Sequence, residues 1–469
     1  MKDRDLPWIR VAPDAPYFVT EEGDNWTPIG QNDAITWPDL TGAFRRRDWP
    51  RVDAYFSGLA AHGVTCLRLM LEYCQAPGRY LENPVGVFQP AVVRLWDDLF
   101  SLCRQHGLRM LLTPFDTYWM RRRWVRHPYH RANGGPGRNK SQWLLDPRMR
   151  AATKARLAFA TRRWGSSGAL FAWDLWNEIA PTHAGGDCAA LYDWVDEVGT
   201  YLRELETTLH GRAHPQTVSV YGPLLRKHPA LNGLIFRHPA LDFASVHFYD
   251  APIRQPTDSV RPARRVGKLT QQALAQIGDG RPFLDTEHGP DRLFHQKKGR
   301  INEAFDDEYF RRLQWAHLAS GGVGGGFRWP YRHPHSLTAG MREAQRILAA
   351  FVREVDWQRF PRQNLSGRIR VTPRGFRAMA CGNRRQVIAW VLPTDAPNGR
   401  STLDAVKLQL ITLILSEMDA GVYRIRVWNT FDGQLLLDTG RTLPVNGPLR
   451  VPMPLVRTDA VVLIERLTG

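Results

Sequence analysis

The sequence predicts an α/β chain in two parts, a closed barrel of eight parallel strands alternating with helices and then an antiparallel β-sandwich. Three observations predict it. Short apolar runs alternate with helical stretches from residue 27 to about 355, and the runs are apolar on both faces, as buried parallel strands must be. Polar or aromatic residues end nearly every run. Beyond residue 363 the pattern changes to short alternating strands with an Asp432-Gly433 hairpin signature.

In order along the chain, 17–24 predicts a small hairpin capping the base, and Thr27 to Asn32 a first core strand. Apolar residues at helical spacing place a helix over 48–62, stopped by Gly63, and another over 90–106, stopped by Gly107. Between them, Val64 to Leu71 is a near-continuous apolar strand with Arg68 inside it. Strand 108–115 closes on Asp116. A helix over about 150–164 then leads to strand 169–178, which runs through Ala172-Trp173-Asp174-Leu175-Trp176 into Asn177-Glu178. Helix 188–209, strand 217–221, strand 242–249, helix 264–277, strand 282–287, helix 303–319, strand 322–329 and helix 338–354 complete eight repeats. This is the (β/α)8 TIM-barrel pattern with insertions. At 469 residues the chain exceeds the roughly 250–300 over which one core grows, so two domains are expected, 1–360 and 361–469. Pro361 to Leu365 forms the link, and strands at 368–371, 387–391, 422–428 and 461–464 build the second domain.

Composition excludes several classes. Hydrophobic and charged fractions of 43% and 23% are those of an ordinary globular chain, and no run reaches the roughly 20 apolar residues of a membrane span. The start, Met1-Lys2-Asp3-Arg4-Asp5, meets Pro and Trp rather than an apolar leader. A cytoplasmic protein is expected, a secreted one only if a leader has been trimmed. Five scattered Cys without a CxxC argue against a disulfide framework and a thiolate metal site. The net charge of +17 is unusual, and Arg45-Arg46-Arg47 and Arg121-Arg122-Arg123 are its densest clusters. Neither interleaves with aromatics as a stacking platform would, so a solvated basic surface is read rather than nucleic-acid binding.

Chemistry in such a barrel lies at the C-terminal strand ends. Those ends carry Asn32, Arg68 (with Glu72 and Tyr73 beyond), Asp116 and Tyr118, Asn177 and Glu178, Tyr221, His247 and Tyr249, Glu287 and His288, and Trp329. Each has a bland reading: Arg68 as a structural ion pair, His247 as a core histidine, Trp329 as core, Glu178 as a strand-end salt bridge. The coincidence of so many, with Glu on strands four and seven, favours a site. A buried Glu without a partner is costly, so Glu178 is placed at the strand's mouth. Two carboxylates across a cleft are what glycosidic cleavage requires, one protonated for the leaving oxygen and one ionised to attack the anomeric carbon. Arg68 and a Tyr hydroxyl would favour the charged form of Glu287, whose charge would raise the pKa of Glu178. Asn177 is placed to bond a sugar 2-hydroxyl, and Trp329 offers a flat face to a sugar ring.

These residues resemble those of clan A retaining glycoside hydrolases, close to the family 5 cellulase and mannanase group. The resemblance rests on Asn177-Glu178, His247-Phe248-Tyr249, Glu287, Arg68 and Trp329, and on the loop His127-Pro128-Tyr129-His130-Arg131-Ala132-Asn133-Gly134-Gly135-Pro136, which is similar to a segment of mannanase-like members. It implies Glu178 as acid/base, Glu287 as nucleophile, and Arg68, Asn177, His247 and Tyr249 in support. Asp116, Tyr118, His127, His288, Trp329 and Asn32 complete the expected substrate-binding and supporting set. The chain departs from the family pattern in having Asp116-Thr117-Tyr118 where many members carry a His, and in Asp285 and His288 flanking Glu287. The loop 117–147, with Tyr118, Trp119, Trp124, His127, Tyr129 and Trp143, is expected to wall the cleft, making the enzyme exo-acting on mannose- or glucose-configured substrates. No metal or organic cofactor is expected, and carbohydrate is the partner. The rivals are a non-catalytic carbohydrate-binding barrel and a metal-dependent hydrolase using His127, His130, His247 and His288, which lacks an HxH pair on a first strand.

Overall fold

The computed structural model describes residues 5–33, 46, 48–72, 80–249, 258–289, 301–330, 336–394, 409–456 and 458–467. Arg45, Arg47, Tyr73 and Cys74 lie outside them. At the N-terminus β1 (Ile9–Val11), β2 (Phe18–Thr20) and β3 (Asn25–Trp26) form a three-stranded antiparallel sheet, one strand more than the expected hairpin.

The parallel part has two ladders. β4 (Gly30–Asn32), β5 (Cys66–Met70), β6 (Arg109–Thr113), β7 (Leu170–Asp174) and β8 (Gln216–Thr217) pair in sequence order, and β9 (Ala244–Tyr249) pairs with β10 (Phe283–Gly289). Isolated parallel bridges Tyr221–His247, His288–Arg328 and Gln31–Arg328 lie where the ladders stop. β5, β6 and β7 are buried along their whole length, which explains their unbroken apolar runs. Helices alternate with them. Pro90–His106 ends at Gly107, whose φ of 70° places it in the left-handed region a C-cap favours. Pro147–Trp164 starts from Asp146, whose side chain accepts the Arg148 N–H at 2.8 Å.

Two expected strands are shorter than the sequence predicts. Strand 217–221 is regular only to Thr217, and the expected strand 322–329 survives as the Arg328 bridges alone. The second case has a local cause. Gly321, Gly324 and Gly326 all have positive φ, and a Cβ on Gly326 would press within 3.1 Å of the Asp285 carboxylate. Likewise β7 stops at Asp174, so Asn177 and Glu178 stand beyond the strand rather than at its last position.

Residues after 361 form two antiparallel sheets. β11 (Gln363–Asn364), β13 (Phe376–Gly382), β14 (Gln386–Pro393), β19 (Ala460–Arg466), β16 (Gly421–Asn429) and β17 (Leu435–Leu443) make one. β12 (Ile369–Thr372), β15 (Gln409–Met418) and β18 (Gly447–Val456) make the other. The expected link is therefore already partly strand, because Gln363 and Asn364 pair with β13. β14 shows how the larger sheet works. Val387, Ala389 and Val391 face the sandwich core, while Ile388, Trp390 and Leu392 join the core of the parallel part. Burial on both faces docks the sandwich against the helix Glu303–Ala319, where Arg311 reaches Asp459 at 3.0 Å. Among the described residues no helix is long and apolar enough to cross a membrane.

Candidate active site

Arg68 is the centre of the site. It is buried within β5, and its two terminal nitrogens divide between two sides. Nη1 donates to Asn32 Oδ1 at 2.8 Å and Glu287 Oε2 at 2.9 Å. Nη2 donates to Asp174 Oδ2 at 2.8 Å and Asn177 Oδ1 at 2.7 Å. Burial works against its charge, but Asp174 and Glu287 beside it prevail and its pKa is raised. A buried cation is tolerated only with such partners.

Glu287 lies on β10 next to a register shift between Asp285 and Glu287. Its Oε2 accepts from Arg68, its Oε1 accepts from the Tyr249 hydroxyl, and His247 Nδ1 stands 3.6 Å away. Burial is the strongest influence and raises its pKa, with His247, Arg68 and Tyr249 acting in the opposite direction. Arg68 and the Tyr hydroxyl thus favour the charge as expected, but desolvation outweighs them. Glu178 lies opposite. Its φ of 54° makes it the one non-glycine residue with positive φ among the described residues, and its N–H donates to Ser219 Oγ at 3.2 Å. His247 Nδ1 lies 3.0 Å from Glu178 Oε1. Burial drives His247 down to about 4, so it is neutral near pH 7, and Nδ1 is the ring nitrogen that faces Glu178.

One carboxylate oxygen of Glu178, one of Glu287 and a ring nitrogen of His247 all lie within 4.8 Å of one another. The three resemble a cation donor set. Both Glu287 oxygens already accept hydrogen bonds, however, and the Arg68 guanidinium at 2.9 Å disfavours a second positive charge there.

The structure thus brings Asn32, Arg68, Asn177, Glu178, His247, Tyr249 and Glu287 together. Asn32 is fully buried, with its amide nitrogen bonded to the carbonyls of Thr286 (3.0 Å) and Phe327 (3.3 Å), so it positions Arg68. Asn177 gives its oxygen to Arg68, which leaves its amide nitrogen as the group it can offer a substrate. Other expected residues sit differently. His127 is buried with Nε2 2.9 Å from Glu72 and Nδ1 accepting the Tyr129 N–H, in a cluster with Arg156 and Glu82. With both ring nitrogens engaged inside the protein, His127 serves the scaffold. His288 Nδ1 lies 2.9 Å from Asp285, whose carboxyl burial pushes up to about 8, so this pair is packed under the strand. Asp116 caps the helix Thr117–Arg123 by accepting the Trp119 N–H at 3.3 Å. Tyr118 is half-buried with Arg122 4.8 Å over its ring, and Trp329 is half-buried, its backbone N–H donating to the His288 carbonyl at 2.8 Å. Of the expected cleft wall, Tyr129 and Trp143 are fully buried, whereas Tyr118, Trp119 and Trp124 stay partly exposed.

Two residues escaped the sequence reading. Asp174 accepts from Arg68, from Ser219 N at 2.9 Å and from Ser219 Oγ at 2.9 Å. An acid inside an apolar strand, two strands along the sheet from the one holding Arg68, was a usable signal for it. Ser219 carried none, since it lies in the irregular stretch just beyond β8.

No family model matches the chain. It is 28% identical over 300 residues to a probable mannan endo-1,4-beta-mannosidase A of Aspergillus flavus, covering 58% of this chain and 72% of the relative. Among solved structures it shares its fold with a glycoside hydrolase family 5 protein from Bacteroides vulgatus, with TM-score 0.61, 11% identity, and 99% and 95% of the two chains covered. It also resembles an exo-beta-1,4-mannosidase from an Opitutaceae bacterium, with TM-score 0.53, 16% identity, and 75% and 64% covered. In sequence and in fold the chain therefore resembles the clan A, family 5 glycoside hydrolases, whose TIM-barrel-like fold its parallel part shares.

Proposed function

We propose that the chain is a retaining, exo-acting β-mannosidase with Glu178 as general acid/base and Glu287 as nucleophile. The observation that carries this is the approach of the two carboxylates, with oxygens within 4.8 Å. Retaining enzymes place their carboxyl groups about 5–5.5 Å apart, and inverting ones about 6.5–9.5 Å apart to admit a water. In the first step Glu287 attacks the anomeric carbon while Glu178 protonates the departing oxygen. In the second, Glu178 takes a proton from water, which releases the sugar from Glu287. Arg68 and Tyr249 donate to the Glu287 oxygens and so favour the ionised nucleophile, opposing the burial that raises its pKa. Asn177 meets the 2-hydroxyl through its amide nitrogen.

The (β/α)8 barrel of residues 1–360 is the catalytic unit, the bridges completing the ring of the two ladders, and 361–469 is an accessory domain. The mannosidase names among its relatives support a β-mannoside, and the aromatic residues of 118–124 support a cleft closed at one end. The test is hydrolysis of a panel of aryl β-glycosides by the wild type, Glu178→Ala and Glu287→Ala. We expect mannoside turnover in the wild type alone. Azide should rescue Glu178→Ala to a β-glycosyl azide and Glu287→Ala to the α-anomer. Wild-type rates in either variant would sink the assignment.

A further inference from the structure

The chain's positive charge is concentrated in one place. Residues 117–150 hold nine Lys and Arg against a single Asp, eight of the net seventeen positive charges of the whole chain. This segment leaves the C-terminal end of β6, the strand beside the one that leads to Glu178. It is tied to the loop just beyond Glu178 by two backbone hydrogen bonds, Leu144 N–H to the His183 carbonyl at 3.1 Å and Gly185 N–H to the Ser141 carbonyl at 2.7 Å. The Trp143 ring stacks on His183, with centroids 5.1 Å apart. Arg121, Arg126, Arg131, Arg138 and Lys140 are exposed, and among the described residues no acid pairs with them. The one acid of the segment, Asp146, caps its own helix, and Glu197 nearby is taken by Arg150 and Lys154. The potential of this rim reaches inward. His183 is pushed down to about 3, first by burial and then by Arg121 and Lys140.

A surface that only kept the protein soluble would spread its charge. A one-signed rim beside a cleft focuses an ionic substrate instead. We propose that this rim receives a carboxylate on the leaving-group side of the substrate, so that the natural substrate is an acidic oligosaccharide with a uronic acid next to the cleaved mannosyl bond. The inference rests on the glycosidase reading, in which Glu178 faces the leaving oxygen and the loop beyond it lies on the leaving-group side.

The test compares β-mannosyl-glucuronic acid with β-mannosyl-glucose, which differ only in one carboxylate, and an aryl β-mannoside serves as the control for chemistry. For the wild type kcat/KM should be about tenfold or more higher for the uronate at low salt, and the ratio should collapse in 0.5 M salt, where the screening length falls to a few ångströms. The triple variant R121E/R126E/K140E, its fold checked by thermal melting, should invert the ratio. A ratio near one that ignores salt while the aryl mannoside and β-mannosyl-glucose are hydrolysed would overturn the inference and leave the glycosidase reading intact. No turnover of any of the three would overturn that reading, and the inference with it. Salt-sensitive binding to single-stranded RNA or anionic vesicles without any uronate preference would assign the rim to another polyanion and overturn the inference too.

Discussion

Replacing Arg68 by Lys separates the two duties of its guanidinium. The Arg reaches Glu287 through Nη1 at 2.9 Å and Asp174 through Nη2 at 2.8 Å. An ammonium is a single point and cannot span both. The Asp174 side chain is fully buried and that of Glu287 is 13% exposed, so an unpaired charge costs more at Asp174, and the Lys settles there. Glu287 then loses one charge-assisted hydrogen bond, worth about 1.5–3 kcal/mol. At 1.36 kcal/mol per pKa unit, its pKa climbs by about 1–2 units. Burial already raises this carboxyl, and the Arg is one of the groups opposing it. The nucleophile must be ionised, so a higher pKa moves the acid limb of kcat/KM to higher pH and depresses activity most on the acid side. The assay is kcat/KM for an aryl β-mannoside across pH in the wild type and Arg68→Lys. An acid limb that stays at the wild-type position would refute the reasoning.

Three further perturbations follow from the same geometry. Ser219→Ala removes the acceptor of the Glu178 N–H and a donor to Asp174, so Glu178 loses the hold on its unusual backbone. Steady-state kinetics should show kcat falling about 100-fold with little change in KM, since small misplacements of reacting groups cost that much. Glu72 is held down to about 2, because His127 and Arg156 outweigh the burial that would raise it. Its contribution, about 3 kcal/mol at 1.36 kcal/mol per unit, is present above the unfolded carboxylate pKa near 4.5 and is lost as pH falls toward 2. Denaturant midpoints measured from pH 6 to 2.5 should show that loss in the wild type and flatten in Glu72→Gln. Asp459→Asn strips the charge facing Arg311 at 3.0 Å and Arg312 at 3.7 Å where the sandwich meets the parallel part. A buried pair broken on one side costs about 3–5 kcal/mol, so limited proteolysis near residue 361 should accelerate markedly.

Local signals were legible where chain chemistry alone decides the outcome. The helix over 90–106 is bounded by a Pro at its first turn and a Gly at its end, and it is found with those bounds. Strand ends that depend on tertiary pairing were not. The stretch 322–329 is as apolar as its neighbours, but its glycines bend the backbone through positive φ over Asp285 and Pro28. In the sandwich, β13, β15, β17 and β18 went unread; β17 is largely exposed, and β15 pairs with β12 and β18 across long intervals. The site divides the same way. Glu178, Glu287, Arg68 and His247 announce themselves as charged or titratable groups where apolar strands end. His127 looked equivalent, but only three dimensions reveal that its ring faces Glu72 rather than the cleft. Ser219 is ordinary in sequence and gains its place in the irregular stretch after β8, which no periodicity encodes.

The two carboxylates differ in what holds them, and that difference assigns their tasks under the proposed mechanism. Glu287 has a permanent cation and a phenol hydroxyl on its two oxygens, groups that stabilise negative charge and cannot follow it elsewhere. Glu178 has a neutral imidazole 3.0 Å from its Oε1 and a side chain 27% exposed against 13% for Glu287, so it is held less tightly and is more open to water. A group that must alternate between giving and taking a proton needs that latitude, and a group that must stay ionised through attack does not. Ser219, Asp174 and Arg68 connect the pair in series, from the Glu178 N–H through the Asp174 carboxylate to the Glu287 oxygen. A shift at one carboxylate is therefore transmitted to the other through three hydrogen-bonded side chains. Single substitutions along this chain should then be non-additive: Ser219→Ala added to Arg68→Lys should cost less than the two changes separately, because each breaks the same linkage. Full additivity of the two in kcat/KM would mean that the carboxylates are positioned independently.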